Sequence, residues 1–508
     1  MKSPIPSLLQ GIVLSNLLAL SASAQNESST CDEDCQSFLE MGLSFERSSY
    51  AHPGLDAFYT IPEEFHPSMK PGTLLRVEEH TDLTNYTVPG GLTMSRIMYT
   101  SESLNGTIVP VSAFILWPYT PFNYNEKTSP QHNSTSSSSP PKFPLVAWAH
   151  GTSGVFPPCA PSNYRSLQYN FMTTYPLALD GFAVVATDYA GLGVTTLPNG
   201  TQSHAWLASP AGANDVAYAI DAARKAFPAY LDADGPFVAM GHSQGGGVAW
   251  GVAERQMVHP QKGYRGAIAI SPATRVVDEI ERAREVVGAA AHAEDPAVAV
   301  PVWASTALGL QVKVIAAVTA VFPEYNDTGM SEGAYARWHD ALKPAGGCLV
   351  TDTLAFTLLE GEQVRANWTG NELVGEWQER VSSGRKEFRG PLLVIVGEED
   401  ALPLDMLEED VERTCKVRGN EGQALEMMSY AGMEHFPVIQ ASRTKWMGWI
   451  KERVSAPSNS NSVRRGQDGV CGEKSVVQGF NIEYTAHGIT PNWLVSWASA
   501  IEAWKYAL

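Results

Sequence analysis

Basic residues are in short supply. Lys and Arg number 35 against 54 Asp and Glu, a formal charge of −19 over 508 residues, so the chain offers no footprint for nucleic acid or for an anionic membrane. Cysteine is scarce as well. Six occur, Cys31, Cys35, Cys159, Cys348, Cys415 and Cys471, and none has the ligand spacing of a zinc site. Cys31 and Cys35 lack the surroundings of a thioredoxin-like redox pair and instead suit a small local loop. Phosphate loops are missing, and Gly191-x-Gly193 lacks the third glycine of a dinucleotide fingerprint. No cofactor and no metal is expected. Uninterrupted apolar stretches are also few. Residues 297–322 are almost wholly apolar, but Pro301, Gly309, Gln311 and Lys313 break them up. A central lysine costs about 2.5–3.5 kcal/mol on the insertion scale, so buried helices are expected there and no transmembrane anchor.

The N-terminus is the exception. Lys2 precedes an apolar run through Leu8, Leu9, Ile12, Val13, Leu14, Leu17, Leu18 and Leu20 that ends in Ala22-Ser23-Ala24, the form of a secretory signal peptide spanning 1–24. Secretion gives meaning to the N-x-[ST] sites at Asn26, Asn85, Asn105, Asn133, Asn199, Asn326 and Asn367, which become candidate glycan acceptors on the surface of an extracellular protein. An even number of cysteines in an oxidising compartment predicts disulfides throughout, with the pairing left open.

The densest chemistry lies at 237–247. Phe237-Val238-Ala239-Met240 is an apolar run, Gly241-His242-Ser243-Gln244-Gly245 has the G-x-S-x-G form, and Val248-Ala249-Trp250-Gly251-Val252-Ala253 follows with helical spacing. Strand, sharp turn and helix make a nucleophile elbow with Ser243 as the candidate nucleophile. Ser243 must hold a strained backbone to lift its Oγ above the sheet edge, and a Cβ at Gly241 or Gly245 is expected to collide with a neighbouring strand or helix. The positive end of the following helix then faces a developing oxyanion. The blander alternative is a tight glycine-rich turn carrying a solvated serine.

Residues 25–90 show little periodicity and suggest a wrapping arm. Segments 94–100 and 108–117 read as a hairpin turned at Asn105-Gly106, and the polar stretch 128–142 as a surface loop. Short apolar strands at 144–149, 182–187, 237–240 and 267–270 alternate with helical patterns near 165–180, 211–227 and 244–258. That alternation predicts an α/β domain, a mostly parallel sheet with helices on both faces. Helices dominate 276–389, and strand material returns at 391–397. We therefore expect a core of 91–275 plus 390–455, a helical cap or lid insertion at 276–389 over the carboxyl ends of the strands, and a C-terminal extension at 456–508. In that extension Trp493, Trp497, Ile501, Trp504 and Leu508 form one helical stripe expected to dock on the core.

A serine hydroxyl needs a base, and the base an orienting carboxylate. In chain order Ser, acid, His, Asp400 falls in the loop after strand 391–397, with Glu398 and Glu399 in reserve. His435 follows the last apolar strand. His242 adjoins Ser243 in sequence, but neighbouring side chains diverge at an elbow, which excludes it as the base. His150 precedes the nucleophile and is expected to shape the oxyanion loop. One oxyanion donor is expected to be the backbone N–H of Gln244. The second comes either from the turn His150-Gly151-Thr152 or from Asp188.

Gly151-Thr152-Ser153 with Cys159-Ala160-Pro161-Ser162, Asp188-Tyr189-Ala190-Gly191, the elbow, Gly346-Gly347-Cys348-Leu349, Asp400, Cys415, Glu434-His435 and Val470-Cys471-Gly472 together resemble the fungal secretory lipase family over most of residues 90–475. The resemblance implies an α/β-hydrolase fold with a helical lid, a Ser243, Asp400, His435 triad, and oxyanion donation from the Asp188 and Gln244 amides. It also implies disulfides Cys159–Cys348 and Cys415–Cys471, leaving Cys31–Cys35. The chain departs from the family's best-known member at Gln244, where that enzyme has glycine, in the insert at 128–142 and in the C-terminal extension, which bears on the acyl pocket and lid.

The expected activity is that of a secreted serine carboxylic-ester hydrolase, lipase or esterase, acting through an acyl-enzyme on an ester or lipid substrate, as a monomer in transient contact with a lipid interface. A small-ester or secondary-metabolite deacetylase is the alternative within enzymes. A catalytically silent hydrolase-like binding module is the alternative from another class.

Overall fold

Seven stretches of the computed structural model are described, residues 31–52, 54–123, 142–194, 203–292, 300–357, 362–456 and 471–480. The expected signal peptide, the 128–141 part of the polar loop, Asn26, Asn133, Asn199 and the tryptophan stripe from 493 onward lie outside them. Asn85, Asn105, Asn326 and Asn367 lie within them and all four are exposed.

The strands are β1 (Leu74–Glu78), β2 (Leu92–Glu102), β3 (Ile108–Pro118), β4 (Leu145–Ala149), β5 (Ala183–Thr187), β6 (Phe237–His242), β7 (Tyr264–Ile270), β8 (Leu392–Gly397), β9 (Leu425–Tyr430) and β10 (Glu473–Val477). They form one sheet in the order β1-β2-β3-β5-β4-β6-β7-β8-β9-β10. From β5 to β10 every neighbouring pair is parallel, while β1, β2 and β3 close the other edge antiparallel. The hairpin expected around Asn105-Gly106 is the β2–β3 pair.

The central strands are buried on both faces, which is why they read as continuous apolar runs. Alternate residues face opposite layers. Ala147, Val185, Ala239, Ala269 and Val394 pack with Ile220, Val248, Trp250 and Val411 of the helices Ser209–Ala226, Gln244–Val258 and Leu404–Lys416. Val146, Val184, Val238, Ile268 and Leu393 pack instead with Leu177, Trp446 and Ile450 of Thr174–Leu179 and Arg443–Ser455.

Helices dominate the segment after β7. They bury their own apolar cluster, which also takes in Trp206 and Ala208, with Val155 and Phe156 of the loop after β4 packed against it. The disulfide Cys159–Cys348 ties that loop to this segment, and Cys31–Cys35 and Cys415–Cys471 complete the set. The apolar run around Gly309 is two helices, Val302–Gly309 and Gln311–Val321, bent by 46°. No single helix among the described residues is long and apolar enough to cross a membrane. Lys313, the charge that interrupts the run, is buried and paired with Asp352.

Two regions differ from the sequence reading. Residues 33–49, taken as part of an aperiodic arm, form a 17-residue helix whose buried positions are Cys35, Gly42 and Glu46. Their spacing is helical, but a disulfide-bonded cysteine, a glycine and a glutamate make no apolar stripe to signal the element. β1 likewise precedes the expected first strand. The helix expected near 165–180 is confined to Thr174–Leu179, because Leu167, Gln168 and Asn170 adopt positive φ of 51°, 61° and 30°, which no continuous right-handed helix tolerates.

Candidate active site

The carboxyl ends of the parallel strands converge on Ser243. This residue caps the helix Gln244–Val258 with φ 59° and ψ −121°, the strained turn expected of an elbow. The glycines are required by close approach. A Cβ on Gly241 would lie 2.0 Å from the Gly245 carbonyl oxygen, and one on Gly245 would lie 2.0 Å from that of Ala149. Backbone bonds lock the turn: the Ser243 N–H donates to Ile270 at 2.9 Å, and the Ser243 carbonyl accepts from Gly247 and Ala273, each at 3.1 Å.

Asp400 and His435 meet directly. Beyond β8, Asp400 is buried, and its Oδ1 accepts from His435 Nδ1 at 2.6 Å. The same oxygen accepts from the Leu402 N–H at 3.0 Å, and Oδ2 accepts from Ser271 Oγ at 2.6 Å. Burial by itself would raise the Asp400 pKa, but the charge and hydrogen bond of His435, with those from Ser271 and Leu402, outweigh it and hold the carboxyl below its ordinary range. Glu398 and Glu399 are exposed and face no such set of donors. Ser271, at φ 43° just past β7, was not anticipated. Its sequence signal is only the end of an apolar run, and its role needs the β7–β8 pairing to become visible.

His435 is also held by its main chain. His242 is fully buried beside Ser243, and its Nε2 lies 2.8 Å from the His435 carbonyl oxygen, with the two rings 4.5 Å apart. Burial, followed by the nearby His435, pushes the His242 pKa down to about 3, so its ring is neutral. Among the described residues no hydrogen bond joins Ser243 Oγ to His435. Such contacts often tighten only in the substrate complex.

The candidate oxyanion donors separate clearly. The Asp188 N–H donates to the Ser112 carbonyl at 2.9 Å, so it is not free to serve an oxyanion. This bond extends the antiparallel β3–β5 pairing just past its last pair, Ala113–Thr187. The Asp188 carboxyl also points inward, accepting from Ser112, from the Ser162 hydroxyl and from the Ser162 N–H. The Gly151 N–H donates to Tyr169 Oη at 3.1 Å. Thr152 is left of that turn. Its carbonyl accepts from Gln168 Nε2 at 3.2 Å and its Oγ1 from Trp206 Nε1 at 2.9 Å, which anchors the residue on two sides. A Cβ on Gly151 would lie 3.2 Å from the Cβ of Ser243, so this turn abuts Ser243. Among the described residues no acceptor engages the N–H of Thr152 or of Gln244. Gln168, Trp206 and Tyr169 carry no local sequence signal for these contacts.

Two further histidines are buried nearby. His150 Nδ1 lies 2.7 Å from the Gly151 carbonyl oxygen and Nε2 3.2 Å from that of Asp188, and burial lowers its pKa to about 4. His204 lies 2.9 Å from the Ala190 carbonyl oxygen and receives the Gln244 side-chain amide at 3.0 Å; burial lowers it to about 4 as well. No group of three or more His, Cys, Asp or Glu among the described residues could hold a metal ion.

A strained serine at the tip of β6, with an acid and a histidine past β8 and β9, defines an α/β-hydrolase. The chain belongs to the alpha/beta hydrolase family, whose model matches residues 146–443. Solved structures share the fold. Candida antarctica lipase A in its closed state matches with a TM-score of 0.60 at 14% identity, over 84% of this chain and 90% of that one. The rice cell wall degrading esterase LipA from Xanthomonas oryzae matches with a TM-score of 0.53 at 15% identity, over 75% and 100%. A putative hydrolase from Legionella pneumophila matches with a TM-score of 0.53 at 14% identity, over 76% and 98%. No curated protein sequence matches the chain.

Proposed function

We propose that the protein is a secreted serine carboxylic-ester hydrolase of the fungal secretory lipase type, working through an acyl-enzyme on Ser243. The observation that carries the reading is the buried Asp400–His435 bond of 2.6 Å set against the strained serine elbow. Ser243 Oγ attacks the ester carbonyl as His435 Nε2 takes its proton, and the tetrahedral oxyanion is received by the N–H groups of Gln244 and Thr152. His435 returns the proton to the departing alcohol. Water, deprotonated by His435, then attacks the acyl group and releases the acid and Ser243. Asp400 fixes the tautomer by accepting from Nδ1, which leaves Nε2 to carry the proton back and forth.

The helical segment 276–389 acts as a cap over this site in our reading, in a glycosylated extracellular monomer that meets its substrate at a lipid interface. Three disulfides and four exposed N-x-[ST] asparagines suit an oxidising compartment. Hydrolysis of p-nitrophenyl esters of graded acyl length by the purified protein tests the reaction. Ser243→Ala is expected to lower kcat by about 10⁶. Equal turnover by parent and variant would remove Ser243 from the mechanism, and absence of turnover in the parent would favour a non-catalytic binding role. The length series separates a long-chain lipase from a short-ester deacetylase.

A further inference from the structure

One run of hydrogen bonds passes beneath the nucleophile. The Gly151 N–H lies 3.1 Å from Tyr169 Oη, Tyr169 Oη lies 2.8 Å from His242 Nδ1, and His242 Nε2 lies 2.8 Å from the His435 carbonyl oxygen. Tyr169 and His242 are buried.

The direction of each bond follows from the groups at its ends. The His435 carbonyl can only accept, so His242 Nε2 carries a proton and donates. His242 is neutral at any working pH, because burial and His435 hold its pKa at about 3. Its Nδ1 is therefore bare and accepts the Tyr169 hydroxyl proton. Tyr169 Oη, having given its proton to His242, offers a lone pair to the Gly151 N–H. A single assignment satisfies all three bonds, and reversing any one of them leaves a buried donor facing a donor or an acceptor facing an acceptor.

We infer that Tyr169 and His242 are positioning residues that hold the oxyanion turn 150–152 and the loop bearing His435 in one fixed relation to Ser243. The inference rests on the proposed ester-hydrolase reading. Physically, His435 is pinned twice, at its ring by Asp400 and at its backbone by His242. Thr152, one residue beyond Gly151, is registered against the same network. Remaining neutral, His242 also places no second positive charge beside His435 when that ring takes the serine proton. Its 4.5 Å ring separation from His435 would make such a charge a direct penalty on the base. The residue preceding the nucleophile thus serves the base it cannot replace.

The test uses the full-length secreted protein. Tyr169→Phe keeps the ring and removes both ends of the relay, and His242→Leu removes the donor to His435. Each is expected to lower kcat on a p-nitrophenyl ester by about 10- to 100-fold with KM changed less than about twofold, the signature of lost transition-state geometry. His242→Gln, whose amide can donate to the His435 carbonyl and accept from Tyr169, is expected to recover most of that loss. The double variant Tyr169→Phe/His242→Leu is expected to lose no more than the worse single variant, since the two residues act as one unit.

Stoichiometric release of p-nitrophenolate from diethyl p-nitrophenyl phosphate, as Ser243 is phosphorylated, supplies a second rate that needs no natural substrate. A parent that releases none defeats the hydrolase reading itself. A parent that reacts, with Tyr169→Phe reacting within about twofold of it, overturns the positioning role alone. Should His242→Leu fail to fold, Tyr169→Phe and His242→Gln still decide the matter. A kcat loss that His242→Gln fails to recover would likewise count against the donor to His435.

Discussion

At the residue scale the site turns on how Asp400 is kept charged inside the protein. A buried carboxyl loses the solvation of its charge, and only donors aimed at it reverse that penalty. His435, Ser271 and the Leu402 amide are those donors, and they leave the Asp400 pKa below the ordinary carboxylate value. Because the folded pKa is depressed, the stabilisation is present above the unfolded value of about 4 and is lost as pH falls through the lower folded value. Asp400→Asn should therefore lower kcat by about 10⁴ while the fold persists, since the amide presents the wrong hydrogen-bonding face to His435. Ser271→Ala should cost far less, roughly tenfold, and let the Asp400 pKa rise toward its ordinary value. Steady-state rates beside near-ultraviolet circular dichroism check both. If Asp400→Asn kept full activity and Glu399→Gln lost it, the acid would move by one residue. The strand ends that carry Ser243, Asp400 and His435 could be read from apolar runs and chain order, and the structure brings Asp400 and His435 into contact. Ser271, Tyr169 and Gln168 were not legible, because they matter only through partners brought close by folding, and Asp188 was misassigned because its N–H is consumed by a ladder invisible in one dimension.

At the element scale the helix Glu33–Ser49 shows what periodicity misses. Its inner face carries Gly42, where a Cβ would lie 2.7 Å from the Thr351 Cα, and Glu46, whose carboxylate accepts from the N–H of Cys348 at 2.8 Å and of Thr351 at 2.9 Å. Those N–H groups open the helix Leu349–Thr357, and they have no partners within it. Glu46 is thus a cap delivered from another element, next to the Cys159–Cys348 bridge. Glu46→Ala takes the acceptor from these two N–H groups and from the Thr351 hydroxyl and should destabilise this region by about 1–3 kcal/mol. Hydrogen exchange should speed up at Cys348 and Thr351, with little change in β6 or β8. Uniform acceleration across the sheet would contradict a local cap. The strands and the helix after Ser243 were legible from apolar runs and glycine punctuation, because the parallel core demands that pattern. The N-terminal helix was not, because its buried contacts are a glycine approach and a carboxylate rather than an apolar stripe.

At the scale of the whole molecule the buried charges set a pH window for stability. Burial is the largest cause raising the pKa of Asp188 to about 6, Asp215 to about 7, Glu254 to about 7 and Glu279 to about 8, the last helped by Asp410, Asp278 and Asp400. Each raised group contributes stability that is complete below its unfolded value near 4 and is lost as pH rises through the folded value. His150, His204 and His242 act oppositely. With folded values of about 4, 4 and 3, they contribute fully above about 6.5 and lose that contribution as pH falls. Between about pH 6.5 and 8.5 the folded histidines are already neutral and only their unfolded counterparts still lose about half a proton each, a smaller change than the protons that Asp215, Glu254 and Glu279 must still give up in the folded protein. The unfolded chain then binds fewer protons than the native one, so stability falls as pH rises. A formal charge of −19 adds self-repulsion in the same direction. The melting temperature should accordingly be lower at pH 8.5 than at pH 6.5, and Glu279→Gln should flatten that dependence, because a neutral amide replaces the group that ionises last. A melting temperature that stayed level or rose across this range would mean that these carboxyls are already ionised in the folded protein, each with a counter-charge or solvent path that burial has not closed off.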